Sequence, residues 1–314
     1  MKLWYITPQE KNQTAGFFDL KKAITIIDRR SGRAVTESVM GDGALRFAYE
    51  TLLGRCLSGL LFNTSGLSAL MGKYYDSPLS RRSIASLAAI PGCVPGEAEK
   101  KPEEYASFND FFTRRLKPGA RPFDLSEKIL ASPSDGRISV YAGLAPGDKI
   151  PVKNAEKTLN DLCCEELQCR ELAVAVIRLA PVDYHRFHFP CACVQDLLPV
   201  KVRGKYHSVN PIALAKFPDL YTENTRQITA LRSDIFGEFR YLEVGAFGVG
   251  SIVQTSVPGV HERMAEKGFF KFGGSTLVLI FDNSRLRWDE DLLENTAKGS
   301  ETLIRCGENL GVAL

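Results

Sequence analysis

The chain has 314 residues but lacks the long apolar segments that membrane-spanning helices require. Its two longest stretches without a charged residue or a histidine, Cys56–Gly72 and Val244–Val260, are each 17 residues long. A spanning helix needs about 20 predominantly apolar residues, and glycines and Pro258 interrupt the second stretch. The sequence therefore excludes a simple integral membrane protein.

The sequence also lacks an excess of charge of either sign. It carries 40 Lys and Arg against 37 Asp and Glu, a formal net charge of +3, which is too balanced to indicate nucleic-acid binding. A hydrophobic content of 44% excludes a disordered chain. Residues 1–125 hold 18 basic and 13 acidic residues, whereas 126–314 hold 22 and 24. The basic front part favours an anionic surface, although an ordinary solvated face explains the excess equally well.

The cysteines do not form the pattern of a disulfide or zinc framework. The opening residues MKLWYITPQEKN lack the apolar segment of a secretory signal, and Glu10 disfavours a transit peptide. Among the eight cysteines, Cys163 and Cys164 are adjacent, Cys191 and Cys193 are two apart, and no C-x2-C pair occurs. We expect reduced, mostly buried thiols in an intracellular setting and no metal site, the alternative being a cluster within 163–193.

The front part has the periodicity of helices. Apolar residues recur at three- and four-residue steps over Leu45–Leu61, a second apolar stretch covers Leu67–Tyr75, and Ser80 is a candidate cap for a third helix ending at Ala89. This apolar stripe is typical of a core-facing helix. A hairpin around Leu60–Met71 lying in a membrane interface is the alternative.

The back part has the pattern of short strands separated by turn residues. The predicted strands are Arg137–Tyr141, Leu172–Ile177, Cys193–Val202, Phe239–Val244 and Thr276–Phe281. Because strands and helices do not alternate regularly, a doubly wound parallel sheet is disfavoured. We predict an α+β protein, with a mainly helical region at 1–125 followed by a β-rich domain at 126–314.

Two of the four histidines lie together in the segment PVDYHRFHFP, as His185 and His188. A pair with this spacing suits metal ligands, acid–base groups or buried structural histidines, and the metalloprotease spacing of a nearby acid is missing. Asp135 lies in an Asp-Gly turn before a predicted strand, which by itself is ordinary turn chemistry.

Two glycine-containing segments are further candidates. Gly248 and Gly250 resemble a phosphate-binding loop, but a strand-like segment follows them instead of a helix, which disfavours dinucleotide binding. Gly273 and Gly274 precede Ser275 and an apolar strand. A glycine pair permits a strained turn that presents the Ser275 hydroxyl to the carbonyl before it, although a plain turn fits as well.

Taken together, the segments resemble those of the phosphatidylserine decarboxylase family, in its order and over most of the chain. The Gly-Gly-Ser-Thr form is similar to the longer branch of that family. The segments that carry the resemblance are Phe108–Arg114, Leu116–Pro122, Ser132–Gly136, Asp183–His188, Tyr206–Pro211, Val244–Ala246, Val249–Ile252 and Phe272–Thr276.

The resemblance implies a proenzyme that cuts itself between Gly274 and Ser275 into chains 1–274 and 275–314. In it, Ser275 attacks the Gly274 carbonyl, His188 acts as the base and Asp135 orients that histidine. Ser275 then becomes a covalent pyruvoyl group, the cofactor, which forms a Schiff base with the amine of phosphatidylserine. His185 assists the decarboxylation to phosphatidylethanolamine and CO2.

A diacyl lipid substrate implies a protein that docks on a membrane without crossing it. We expect a peripheral protein on the cytoplasmic side of the cell membrane, with the front region contacting anionic lipid, and a homodimer. His207 and His261 are expected to be structural. The alternatives are a pyruvoyl-dependent decarboxylase of another amino-acid-like substrate and a non-catalytic membrane-binding scaffold.

Overall fold

A computed structural model describes residues 25–37, 65–150, 155–205, 213–214, 217–245, 252–273 and 275–314. Short strands make up most of its regular structure. They are β1 (Thr25–Asp28), β2 (Arg33–Thr36), β3 (Ile129–Ala131), β4 (Gly136–Leu144), β5 (Leu172–Leu179), β6 (Arg186–His188), β7 (Cys193–Gln195), β8 (Val200–Val202), β9 (Arg226–Ser233), β10 (Gly237–Gly245), β11 (Ile252–Gln254), β12 (Gly259–His261), β13 (Glu266–Phe270), β14 (Ser275–Asp282), β15 (Leu286–Trp288), β16 (Thr302–Ile304) and β17 (Asn309–Ala313).

The helices within the described ranges are short. They are α1 (Ser65–Asp76), α2 (Ser83–Ala88), α3 (Phe108–Phe112), α4 (Leu159–Cys163), α5 (Leu220–Glu223) and α6 (Glu290–Ala297). Three 3-10 turns, Pro78–Ser80, Pro95–Glu97 and Pro102–Glu104, join the helices of the front part to one another.

An 11-stranded sheet organises the described chain, in the order β12-β7-β9-β10-β14-β5-β4-β16-β1-β2, with β8 paired to β9. Its ladders are antiparallel except for the parallel pair β1–β16. Two three-stranded sheets, β11-β13-β6 and β15-β17-β3, accompany it. The predicted β-rich core is confirmed.

The strands at the middle of the large sheet are buried on both faces. On β14, Leu277, Leu279 and Phe281 join one apolar cluster, whereas Val278 and Ile280 join a second cluster. Since successive side chains of a strand point to opposite faces, the sheet separates the two clusters. This burial explains why β14 and its neighbour β5 read as continuous apolar runs rather than alternating ones.

A third apolar cluster joins the short front helices to the segment that follows β5. Ile84, Phe108 and Phe112 pack there with Ala180 and Val182. The ring of Phe272 lies 5.0 Å from that of Phe108 and 5.3 Å from that of Phe112, in edge-to-face geometry. The front helices are therefore anchored to the residues just before β14.

The front part agrees with the helical prediction in some places and departs from it in others. The stretch Leu67–Tyr75 lies within α1, as predicted, whereas Leu45–Leu61 lies outside the described residues. Ser80 does not cap a helix, since α2 begins only at Ser83. The Ser80 hydroxyl instead accepts a hydrogen bond from the Phe108 backbone N–H at 2.9 Å, which ties the 3-10 turn to α3.

The hairpin β1–β2 was not predicted in the front part. β1 pairs with β16, near the end of the chain, and so extends the large sheet. The helical, membrane-associating character of the region 1–125 as a whole stays a prediction, as does the domain division.

A buried ion pair links the small sheet β11-β13-β6 to the large one. The Lys267 ammonium on β13 lies 2.5 Å from Glu243 Oε1 on β10, and both side chains are fully buried. Lys267 also donates to Thr229 Oγ1 at 2.9 Å and Gln254 Oε1 at 3.0 Å. Burial lowers the pKa of Lys267 and raises that of Glu243, so each group depends on the other for its charge.

We predict that Lys267→Met lowers the free energy of unfolding by about 3–5 kcal/mol, because it leaves the Glu243 carboxylate buried without its cation. Urea unfolding of the uncut Ser275→Ala chain, followed by fluorescence, measures this change. The matched control is Lys298→Met. Lys298 forms an exposed pair with Glu294 at 3.1 Å, and its loss should cost less than about 0.5 kcal/mol. Equal effects of the two substitutions would contradict the prediction.

Candidate functional site

Ser275 is the first residue of β14 and lies between two partner strands. Its register partners are Gly245 on β10 and Leu179 on β5. The side chain is fully buried, and its Oγ has no hydrogen-bond partner among the described residues. A buried hydroxyl without a partner costs about 1–3 kcal/mol, so this hydroxyl does not stabilise the described part of the fold through hydrogen bonding.

The segment before Ser275 is held by side chains from the front helices. The Phe272 backbone N–H donates to Asn109 Oδ1 at 3.0 Å, and Asn109 Nδ2 donates to Asp76 Oδ1 at 2.9 Å. Lys271 completes the arrangement with an ion pair to Asp76 at 2.8 Å. Gly273 has φ of 149°, a backbone conformation that favours glycine. Gly274 lies outside the described residues.

Asn109 and Asp76 are site residues that sequence reasoning missed. Asn109 belongs to the segment Phe108–Arg114, which carried the family resemblance, but no role was inferred for it. Asp76 is the last residue of α1, and an acidic residue at that position is typical of an exposed surface side chain.

Two hydrogen-bond partners fix the orientation of the His188 ring. Its Nδ1 donates to the Met264 carbonyl at 2.9 Å, which leaves the lone pair on Nε2, where the Tyr184 hydroxyl lies at 3.1 Å and donates. Burial lowers the pKa of His188. The ring is therefore neutral near pH 7 and able to accept a proton at Nε2.

Asp135 forms a bidentate ion pair with Arg121. Arg121 donates to it through Nε at 2.8 Å and Nη2 at 2.6 Å, and the Cys306 backbone N–H adds a third bond at 2.8 Å. Such a bidentate pair fixes both position and charge. Arg121 is a further site residue that sequence reasoning missed.

The structure brings Asp135 and His188 into one region without a direct bond between them. The His188 backbone N–H donates to the Pro133 carbonyl, two residues before Asp135, at 2.9 Å. The side chains, however, take different partners: Asp135 binds Arg121, and Met264 orients the His188 ring. The role of Asp135 as the group that orients His188 stays a prediction.

His185 is fully buried and packs against an aromatic ring at an interplanar angle of 33°. Its ring centroid is 3.8 Å from that of Phe112, and its Nδ1 donates to the Asp183 carbonyl at 3.0 Å. Burial, aided by the nearby positive charge of Arg114, lowers its pKa to about 3. Nε2 therefore carries a lone pair, and it has no partner within the described ranges.

A charged network flanks the start of β14. Arg178, the register partner of Thr276, binds Glu37 at 2.8 Å and Glu301 at 2.5 Å. Arg137, opposite Arg178 on β4, binds Glu37 at 2.6 Å and also pairs with Asp183. Although burial raises the pKa of Glu37, the two arginines lower it overall. These carboxylates neutralise Arg137 and Arg178, and so allow the two arginines to lie opposite each other inside the protein.

A small polar cavity of about 140 Å³ lies beside Asp135. Five arginines and three carboxylates line it, together with apolar residues such as Val94 and Leu116. The charged residues are Arg30, Arg114, Arg121, Arg137, Arg305, Glu97, Asp135 and Asp183.

The remaining candidates from the sequence have other roles or lie outside the described ranges. His261 stacks on Phe189 at 4.1 Å and donates through Nε2 to the Val257 carbonyl at 2.9 Å. His207 and the glycine segment 246–251 are outside those ranges. Within them, His, Cys, Asp and Glu side chains form no cluster that could hold a metal ion, and no helix is long and apolar enough to cross a membrane.

Comparison with known proteins agrees with the resemblance. A family model described as phosphatidylserine decarboxylase matches residues 108–312. The phosphatidylserine decarboxylase proenzyme of Ruminiclostridium cellulolyticum is 40% identical over 294 residues, which cover 92% of this chain and 97% of the relative. Proteins with the same name from Chlamydia trachomatis and Clostridium novyi are each 38% identical, over 91% and 93% of this chain and 96% and 100% of their own lengths. The chain belongs to the phosphatidylserine decarboxylase family.

Proposed function

We propose that this chain is a phosphatidylserine decarboxylase proenzyme, a carboxy-lyase that converts phosphatidylserine to phosphatidylethanolamine and CO2. The observation that carries the proposal is the buried, unpartnered Ser275 hydroxyl at the start of β14, directly after two glycines. The neutral His185 belongs to the same region of the molecule, since Phe112 contacts both the His185 ring and Phe272, and His188 follows it three residues later in the chain.

Self-cleavage uses only groups of the chain and water. Ser275 Oγ attacks the carbonyl carbon of Gly274, and the Ser275 nitrogen leaves it, so that an ester replaces the peptide bond. Loss of the Ser275 Cα proton and cleavage of its Cβ–Oγ bond release residues 1–274 with a terminal carboxylate. Water then replaces the nitrogen, which leaves as ammonia, and a pyruvoyl group begins residues 275–314. We assign His188 as the base for the Ser275 hydroxyl, a role in which Nε2 exchanges the Tyr184 hydroxyl for that of Ser275. Asp135, fixed by Arg121, is the group that we assign to orient this histidine.

The residues around Ser275 fit a pyruvoyl group, because a buried serine with an unused hydroxyl supplies its three carbons. Once formed, the group provides a carbonyl that accepts the electron pair left by departing CO2. His185 accepts a hydrogen bond at Nε2 but has no proton to donate there, because its Nδ1 proton is committed to the Asp183 carbonyl. It therefore acts first by positioning the substrate.

The self-cleavage proposal predicts a 40-residue fragment, residues 275–314. Wild-type protein should show this fragment on a denaturing gel and by intact mass spectrometry, and Ser275→Ala should stay at full length because it lacks the nucleophile. Ser284→Ala is the matched control. Ser284 lies in the exposed turn at the other end of β14, and its loss should leave cleavage unchanged. A Ser275→Ala chain that is still cut would contradict the assignment, and an uncut wild type would favour the scaffold alternative.

The state of His188 predicts how cleavage depends on pH. A base must be neutral to accept a proton, and burial lowers the pKa of His188 below 6.5. Freshly translated chain, diluted into buffers of different pH, should therefore lose half of its maximal cleavage rate only below pH ~6.5. His188→Gln should slow cleavage by at least about 100-fold at every pH, since general-base catalysis contributes 10²–10⁴. A midpoint above pH 6.5 in the wild type would argue against this base.

The front helices support a membrane-docking role. Leu70 on α1 is 64% exposed, and Leu79, in the turn after it, is 74% exposed. Lys73, Arg81 and Arg82 lie nearby in the sequence and suit anionic lipid. Asp76 at the end of α1 bonds Lys271, so this surface connects directly to the residues before Ser275. Leu60 and Leu61, which belong to the predicted hairpin, lie outside the described residues.

We predict that the double variant Leu70→Glu and Leu79→Glu reduces binding to phosphatidylserine vesicles by about tenfold or more, since each buried leucine contributes about 1.5–3 kcal/mol. Vesicle co-sedimentation measures the change. Leu125→Glu is the matched control, because Leu125 is 81% exposed and outside α1 and its turn. Leu60→Glu and Leu61→Glu test the hairpin in the same way. Equal binding by all variants would reject this docking surface.

The substrate, the location and the assembly belong to the same proposal. A peripheral position on the cytoplasmic face and a homodimer fit a lipid enzyme of this family. A pyruvoyl-dependent decarboxylase of another amine acid would cleave itself identically. Release of CO2 from phosphatidylserine, compared with free serine, separates these two activities.

A further inference from the structure

Arg114 is a buried cation with unused hydrogen-bonding capacity. The residue is 4% exposed, and its Nη2 donates to the carbonyls of Val182 at 2.9 Å and Asp183 at 3.1 Å. Its guanidinium lies 5.1 Å above the Phe111 ring. Nε and Nη1 have no hydrogen-bond partner among the described residues. Buried N–H groups without partners are costly, which points to a ligand.

The other arginines that line the cavity beside Asp135 are already paired with carboxylates. The pairs are Arg30 with Glu308, Arg121 with Asp135 and Glu97, Arg137 with Glu37 and Asp183, and Arg305 with Glu97. Arg114 has only neutral carbonyls and an aromatic face within the described part of the chain. Arg114 is therefore the arginine of this cavity whose charge no described carboxylate offsets.

The size of the cavity limits the anion. Its volume of about 140 Å³ is close to that of an engineered cavity that holds one benzene molecule, about 150 Å³. A phosphate group fits this space, and acyl chains do not. Val94, which lines the cavity and is 39% exposed, places part of the wall at the protein surface.

The position of Arg114 connects the cavity to the proposed chemistry. Arg114 Nη2 and His185 Nδ1 donate to the same oxygen, the carbonyl of Asp183. Arg114, which lines the cavity, is thus a neighbour of the histidine that we assign to substrate positioning.

We infer that Arg114 and this cavity bind the phosphodiester of the lipid headgroup, an inference that rests on the proposed function. The substrate offers two anionic groups, the phosphodiester and the carboxylate. An arginine on the carboxylate would stabilise the charge that is lost on decarboxylation, and so would stabilise the ground state over the transition state. The phosphodiester keeps its charge throughout, so binding it costs nothing in the chemical step.

Binding to the uncut Ser275→Ala chain tests this subsite independently of catalysis. We expect glycerophosphoserine and inorganic phosphate to bind by calorimetry, and Arg114→Met to weaken both by about tenfold or more, the range expected for charge-assisted hydrogen bonds. The control is Arg287→Met, an exposed arginine on β15 outside the cavity, which should bind as the parent chain does. Loss of phosphate binding with unchanged glycerophosphoserine binding would overturn the headgroup assignment, as would binding that does not depend on Arg114.

A second pair of variants guards against misfolding of the Arg114 variant. Val94→Glu places a negative charge at the cavity wall, and Val94→Gln is its neutral match. We expect Val94→Glu to weaken glycerophosphoserine binding at least several-fold relative to Val94→Gln, because like charges repel. Equal binding by these two variants would overturn the inference.

Kinetics of the cleaved enzyme separate this inference from the proposed function. For short-chain phosphatidylserine, Arg114→Met should raise KM by about tenfold or more with a smaller change in kcat, as expected for binding that is equal in the ground and transition states. An unchanged KM in an active, cleaved enzyme would reject the subsite and leave the decarboxylase proposal intact. An uncut, inactive wild type would reject the decarboxylase proposal itself.

Discussion

The pairing of β14 between β5 and β10 is the constraint on which the rest of the molecule depends. It buries β14 on both faces and fixes Ser275 at the end of a rigid ladder, opposite Leu179 and Gly245. The residues before Ser275 leave this ladder and are held from the other side by Asn109 and the aromatic cluster around Phe272. The chain is therefore held both at Phe272 and at Ser275, and in the proposed self-cleavage such positioning would favour an intramolecular attack by proximity.

The charged side chains near this ladder form ion pairs, whereas His185 and His188 are neutral. Arg121 fixes Asp135, and Glu37 bridges Arg137 and Arg178 beside the start of β14. Burial lowers the pKa of His185 and of His188, and a backbone carbonyl accepts a hydrogen bond from Nδ1 of each ring. The region thus combines fixed charges with neutral acceptors, an arrangement that suits proton transfer near pH 7. Arg114 is the exception, because its charge is offset by no described carboxylate.

Much of the strand pattern was predictable, and the departures have physical causes. Strands β5 and β14 are mainly apolar runs, and β10 carries aromatic and aliphatic residues between turn residues, so local sequence indicates all three. The hairpin β1–β2 was missed because its strands have four residues each, and β2 is exposed throughout. Such strands carry no apolar alternation, and β1 is completed by β16 from near the other end of the chain. Ser80 was predicted to cap a helix because of its residue type, whereas its hydroxyl accepts a hydrogen bond from the backbone of α3.

The β-rich core, the family and the candidate residues for chemistry could all be predicted from the order of residues alone, because apolar periodicity and ordered motifs are local properties. Tertiary structure decided which groups those residues meet. Asp135 accepts a hydrogen bond from Arg121, which is 14 residues away in the sequence, and His188 donates to the carbonyl of Met264, which is 76 residues away. Such partners depend on how strands and loops approach one another in space, and so does the unpaired state of Arg114. The spacing of residues along the chain does not encode how strands and loops come together, because their arrangement in space follows from the burial of whole elements against one another.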